Sequence, residues 1–248
     1  MWRRLRQLRK WCMSVSDVTA AQVNALLGVK DSYKAPDALM AILFDKPRRE
    51  QLFKDLLELF RYDVTYDWFH VYFQEEHAER NTKKQDFTPP AVADLLARMI
   101  GTDSPESGGT RYEPCAGTGG MVIAKWDEDR CQHTPWNYQP SWYLYQCEEL
   151  SDRALPFLLA NLMIRGMNAS VVHGDVLTRE AHGVFFIQNE NDDHLQFSSL
   201  NVFPYSPATK RFFSIKEFVG EQYPPHIESV TWPAHLGAYE PKTEVIDI

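Results

Sequence analysis

The stretch RYEPCAGTGGM, residues 111–121, constrains the fold more than any other part of the chain. Three of its twelve glycines (Gly117, Gly119 and Gly120) fall within four residues, shortly after an acid and a proline. Glycine permits positive φ and a close approach of backbone to ligand, so the run reads as a tight turn with bare amides. Strand-compatible residues precede it, and MVIAKW can continue as a helix. Strand, glycine turn and helix N-terminus together make a nucleotide-binding corner. A dinucleotide GxGxxG is absent, and Met121 stands where a phosphate loop needs lysine, which argues against a nucleoside triphosphate.

Downstream, strand-like and helix-like runs alternate. SWYLYQCEE reads as a strand ending in acid. SDRALPFLLANLMIRGM reads as a helix with Ser151 as N-cap and Gly166 near its end, and ASVVHGDVL as a strand ending at Gly174 and Asp175. This order predicts an α/β fold, a Rossmann-like doubly wound, mostly parallel sheet whose ligands lie at the carboxyl ends of the strands. Glu113, Glu148 or Glu149, and Asp175 stand at those ends. A carboxylate after the second strand suits a grip on ribose hydroxyls, and the loop CQHTPWNYQPS accounts for its wide spacing from the glycines. An acid directly before the turn suits a ligand with a positive amino group.

The first 80 residues read as helical. DVTAAQVNALLGV, APDALMAILFD and RREQLFKDLLELFRY carry apolar positions at helical spacing, punctuated by Pro36 and Pro47. The charged stretch EEHAERNTKKQD is the expected link. The domains are therefore expected at 1–80 (helical N-terminal region), 81–208 (cofactor-binding domain) and 209–248 (C-terminal extension). A formal net charge of -8 disfavours broad binding to nucleic acid, so such contact needs a local patch. MWRRLRQLRKWCM supplies one in Arg3, Arg4, Arg6, Arg9 and Lys10; a solvated basic helix and an arm for DNA or a partner both remain open. No signal-peptide core or stretch of 18 apolar residues occurs, so a soluble, cytoplasmic protein without membrane contact is expected. The four cysteines show no paired framework, which suits a reducing compartment. Cys131 and His133 lack a second ligand pair, so no metal site is expected.

FTPPAVADLL, YEPCAGTGGM, QCEE and HGDVL, in this order, resemble the S-adenosylmethionine-binding half of adenine-specific DNA methyltransferases, above all the modification subunits of type I restriction systems. The resemblance implies S-adenosylmethionine as cofactor, with Phe87, Thr88 and Pro89 lining its methionine end and Thr88 bonding its carboxylate. It further implies that Glu113 faces the amino group and that Ala116, Gly117, Thr118 and Gly119 form the turn beneath it. Glu148 would hold the ribose, and Asp175 would accept from the adenine amine; a turn cap is the competing reading of Asp175.

In those enzymes an Asn or Asp, two prolines and an aromatic follow the fourth strand, because the target amine needs two acceptors and the flipped base a stacking ring. No such run occurs here. The nearest candidate catalytic set is Asn201, Pro204 and Tyr205 in NVFPY, which has one residue too many and a single proline. VFFIQ and FSSLNVF around NENDDH also read as a β-hairpin. Only 73 residues follow Asp175, too few for a target-recognition domain. Two functions are therefore carried forward. One is a DNA adenine methyltransferase-like protein, impaired or dependent on a protein partner for target recognition, touching DNA non-specifically or through that subunit. The other is a non-catalytic cofactor-binding regulatory or assembly protein derived from a restriction-modification subunit.

Overall fold

The computed structural model describes residues 18–70, 88–100 and 109–229. The basic residues between Arg3 and Lys10, Phe87, the expected boundary after residue 80 and the EVIDI tail lie outside the described residues.

Three helices come first: α1 (Ala20–Leu27), α2 (Ala35–Leu43) and α3 (Lys46–Leu59). Local signals set their ends. The Thr19 amide donates to the Gln22 side chain at 2.9 Å, and Gly28, at φ 70°, closes α1 in the left-handed region. Asp45 accepts from the Arg48 amide at 3.3 Å, and Pro47 occupies the first turn of α3. Leu39 and Leu43 of α2 and Leu52, Phe53 and Leu56 of α3 form the buried faces.

The sheet comprises β1 (Gly109–Glu113), β2 (Tyr143–Glu149), β3 (Ala169–Gly174), β4 (Glu180–Gln188), β5 (Ser199–Val202) and the short β6 (Glu217–Phe218). Its order is β1-β2-β3-β4-β5, with β6 pairing the start of β4. The first three strands are parallel, as crossover helices require: α5 (Gly120–Arg130) follows β1 and α6 (Leu155–Ile164) follows β2. β4 and β5 form the antiparallel hairpin that the sequence pattern predicts. The result is the expected mixed α/β fold with a mostly parallel central sheet. α4 (Pro90–Met99) packs on α5 through Ala93 and Ala97 against Ala124.

All ten residues of α6 are buried, nine of them apolar and the tenth, Asn161, hydrogen-bonded. It contacts α2 on one side and β3 and β4 on the other. One apolar cluster consequently includes residues from Val23 to Val202, so the helical region shares its core with the sheet. α7 (Pro207–Phe212) runs across the boundary expected at residue 208, and β6 returns the chain to the sheet. At the β5 end, the Val202 amide donates to the His226 carbonyl at 2.8 Å and the Leu200 amide to Glu228 at 3.1 Å, so the C-terminal segment lies along that strand. Among the described residues, β1 is the outermost strand at the opposite end.

Candidate functional site

The carboxyl ends of β1, β2 and β3 meet around a cavity of about 400 Å³ beside the glycine turn. Gly117 and Gly119 take φ values of 57° and 102°, and a Cβ on Gly119 would lie 3.1 Å from Leu158. The turn therefore needs glycine for its backbone and, at Gly119, for its close approach to α6. The Ala116 amide donates to the Glu148 carbonyl at 2.9 Å, tying the turn to β2.

The main acid at the cavity is Glu149. Its Oε2 accepts from the Gly117 amide at 2.6 Å and its Oε1 from the Ser151 amide at 2.7 Å. Burial pushes its carboxyl above the usual range, opposed by amide hydrogen bonds from Ser151, Gly117 and Leu150. Glu148, expected to hold the ribose, does not line this cavity: successive strand residues point to opposite faces, and it lies on the far one. There its oxygens accept from the Tyr112 hydroxyl at 2.8 Å and Arg179 at 2.7 Å, and it is 2% exposed.

Thr88, Ala116, Gly117 and Asp175 line the cavity; Pro89 stands outside it at the N-cap of α4. Asp175 also caps a turn, accepting from the Leu177 amide at 2.8 Å through Oδ1. Glu113 accepts from the Cys115 amide at 3.1 Å and lines a second groove of about 260 Å³ along β1 and β2. Thr118 and Gly119 support the turn from below, with Thr118 1% exposed. Burial, with Glu113 and Glu149 nearby, raises the Cys115 thiol above its ordinary pKa and disfavours thiolate.

The structure does not bring the expected catalytic set to this cavity. Asn201 sits opposite Phe186, which pairs with Ser170, four residues from Gly174 at the cavity end of β3, or about 13 Å at strand rise. Its Oδ1 accepts from the Glu228 and Ser229 amides at 2.8 and 3.0 Å, and its Nδ2 donates to the Phe186 carbonyl at 3.2 Å. Pro204 accepts from the Thr209 hydroxyl at 2.7 Å, and Tyr205 donates to the His182 carbonyl at 2.8 Å. The register of β5 spends Asn201 on securing the C-terminal segment, away from this cavity.

Sequence reasoning missed Asp67 and His70, which reach the site from beyond α3. His70 lines the cavity, and Asp67 binds the Thr118 hydroxyl beneath it. Among the described residues, no helix is long and apolar enough to cross a membrane, and no group of three His, Cys, Asp or Glu side chains could hold a metal ion.

A glycine turn between a parallel strand and a helix, beside a carboxylate ending the neighbouring strand, defines an α/β protein of the methyltransferase class. The chain belongs to the N-6 DNA methylase family, whose model matches residues 63–200. That family acts on DNA and generally uses S-adenosylmethionine. Comparison with the curated proteins finds no match.

Proposed function

We propose that the protein binds S-adenosylmethionine beside the glycine turn and serves adenine methylation in DNA together with a partner that completes the transfer site. The observation carrying the binding reading is the set of groups around one cavity: the turn, Glu149, Thr88 and Asp175. This set fits the ligand. A carboxylate offers about four acceptor positions, and the Gly117, Ser151 and Leu150 amides leave Glu149 capacity for a ribose hydroxyl. Thr88 meets the ligand carboxylate, the turn from Ala116 to Gly119 lies beneath the amino acid end, and Asp175 accepts from the adenine amine. When bound, the cofactor supplies an electrophilic methyl group to an amine nitrogen.

Partner dependence rests on two features. In doubly wound sheets the ligand crevice lies between the first strand and a neighbour on each side, whereas β1 is outermost among the described residues here. Asn201 is also engaged at the other end of the sheet. The partner supplies target reading, in the manner of the type I systems whose modification subunits the sequence resembles, and, unlike them, the amine acceptor as well; Arg3 to Lys10 supply contact to DNA phosphates. The engagement of Asn201 also favours a second reading, a cofactor-binding regulatory or assembly protein that transfers no methyl group.

Calorimetric titration with S-adenosylmethionine and its demethylated product tests binding, which is expected for the purified chain. Labelled methyl transfer to DNA is expected to be undetectable or very slow with this chain alone. Robust labelling by the isolated chain overturns both partner dependence and the second reading.

A further inference from the structure

Beneath the glycine turn lies a polar junction enclosed in the largest apolar cluster. Asp67, from the segment between α3 and α4, accepts from Asn161 Nδ2 at 2.7 Å and the Phe69 amide at 3.0 Å through Oδ1, and from the Thr118 hydroxyl through Oδ2. The same Asn161 nitrogen donates to the Thr118 carbonyl at 2.7 Å. Arg165 donates to Asn161 Oδ1 at 2.8 Å, the Val64 carbonyl at 2.9 Å and the Tyr66 carbonyl at 2.6 Å. Three parts of the chain are thereby joined: the segment after α3, the turn, and α6.

Such a junction is a poor way to gain stability, because well-packed apolar side chains of similar volume commonly do as well or better than buried charges. Burial raises the Asp67 carboxyl, with hydrogen bonds from Thr118, Phe69 and Asn161 opposing it. What the junction secures is position. Thr118 is held through both hydroxyl and carbonyl, and it stands between Gly117 and Gly119, the two residues with the widest backbone freedom. A turn that must be ordered on binding loses affinity, and one ordered beforehand keeps it. The family match opens at Asp63, so the segment bearing Asp67 belongs to the shared part of the family.

We propose that Asp67 is a positioning residue that, through Thr118 and Asn161, holds the glycine turn in its ligand-ready form and couples the helical region to the cofactor site. This rests on the cofactor-binding reading above. The test uses the full chain carrying Thr118→Val, Thr118→Ser or Asp67→Asn, with Leu56→Val as a core control of the same helical region. Two quantities are read: amide hydrogen exchange at Gly117 and Gly119 without ligand, and the dissociation constant of the demethylated cofactor. Thr118→Val is expected to speed exchange at both amides and weaken binding about tenfold or more, while α6 stays protected. Thr118→Ser is expected to restore both, and Leu56→Val to lower the melting temperature without changing either. Unchanged exchange, or unchanged affinity, in Thr118→Val overturns the proposal. Failure of the wild-type chain to bind overturns the cofactor reading instead, and the exchange data still decide whether the junction holds the turn. Should Asp67→Asn fail to fold, the Thr118 pair carries the test.

Discussion

Arg49 and Glu228, 179 positions apart, meet in a bidentate ion pair with N···O distances of 2.8 and 2.6 Å. Arg49 is 1% exposed and lies in α3, while Glu228 lies in the segment along β5. Their pairing fastens the C-terminal segment across the amino-end side of the sheet to the helical region.

Replacing one member leaves a buried charge without its partner, so Arg49→Met is expected to cost about 3 to 5 kcal/mol. Arg49→Met combined with Glu228→Leu is expected to recover much of that loss. Denaturant unfolding of the two variants checks both values.

Acid should weaken the same pair. Burial alone would raise the Glu228 carboxyl, but the hydrogen bonds and charge of Arg49, with further bonds from Leu200 and His226, bring it below its ordinary value. A depressed acid stabilises the fold fully above its unfolded pKa, near 4.3, and the contribution is lost as pH falls through the folded value. Unfolding free energy measured from about pH 5 downward should fall less steeply in Glu228→Gln than in wild type.

His173 has a linkage of the same sign in a higher pH window. Burial, then the neighbouring His182, lowers its pKa from 6.5 to about 4. The unfolded chain therefore binds more protons between these values, and stability is expected to decline as pH drops from 6.5 towards 4. His173→Asn should flatten that part of the profile.

Glu149 and Glu148 should separate in binding. Glu149→Ala removes charge-assisted contacts of about 1.5 to 3 kcal/mol, so ligand affinity should fall roughly tenfold to a hundredfold. Glu148→Gln, on the far face, is expected to disturb Tyr112 and Arg179 while leaving the dissociation constant near wild type. Calorimetry on the two variants makes the comparison, and an unchanged constant in Glu149→Ala removes Glu149 from the site.

Asn201→Ala leaves the Glu228 and Ser229 amides without their acceptor, at a cost of about 1 to 3 kcal/mol for each group left unsatisfied. Stability should fall while cofactor affinity holds. A variant of normal stability with impaired ligand binding would contradict the role assigned to Asn201.

The sheet and its corner were legible because local chemistry dictates them: glycines at positive φ and apolar runs of strand and helix length, although α6 starts after Ala154 and Ser151 caps only the turn before it. The hairpin was legible for the same reason. Which of two adjacent acids meets the cavity was not, since that depends on the face turned towards α5 and α6, and the QCEE pattern leaves both faces acidic at its end. Both acids are buried, and only the cavity lining and the partners of Glu148, Tyr112 and Arg179, tell them apart. Asp67 was hidden by distance: its partners Thr118 and Asn161 lie 51 and 94 positions away, beyond any local pattern. NVFPY misled because a motif-like string carries no register, and the register is what spends Asn201 elsewhere.

The helix α6 has a further consequence for how the chain comes into being. Synthesis runs from the N-terminus, so α2 is present when α6 emerges, whereas β3 and β4, which cover its other side, are not yet made. Nine apolar positions thus await partners on the ribosome, at the stage where exposed greasy surface invites self-association. Any product ending ahead of β4 should go to inclusion bodies, and recovery of the whole chain from cells should follow translation speed and chaperone supply.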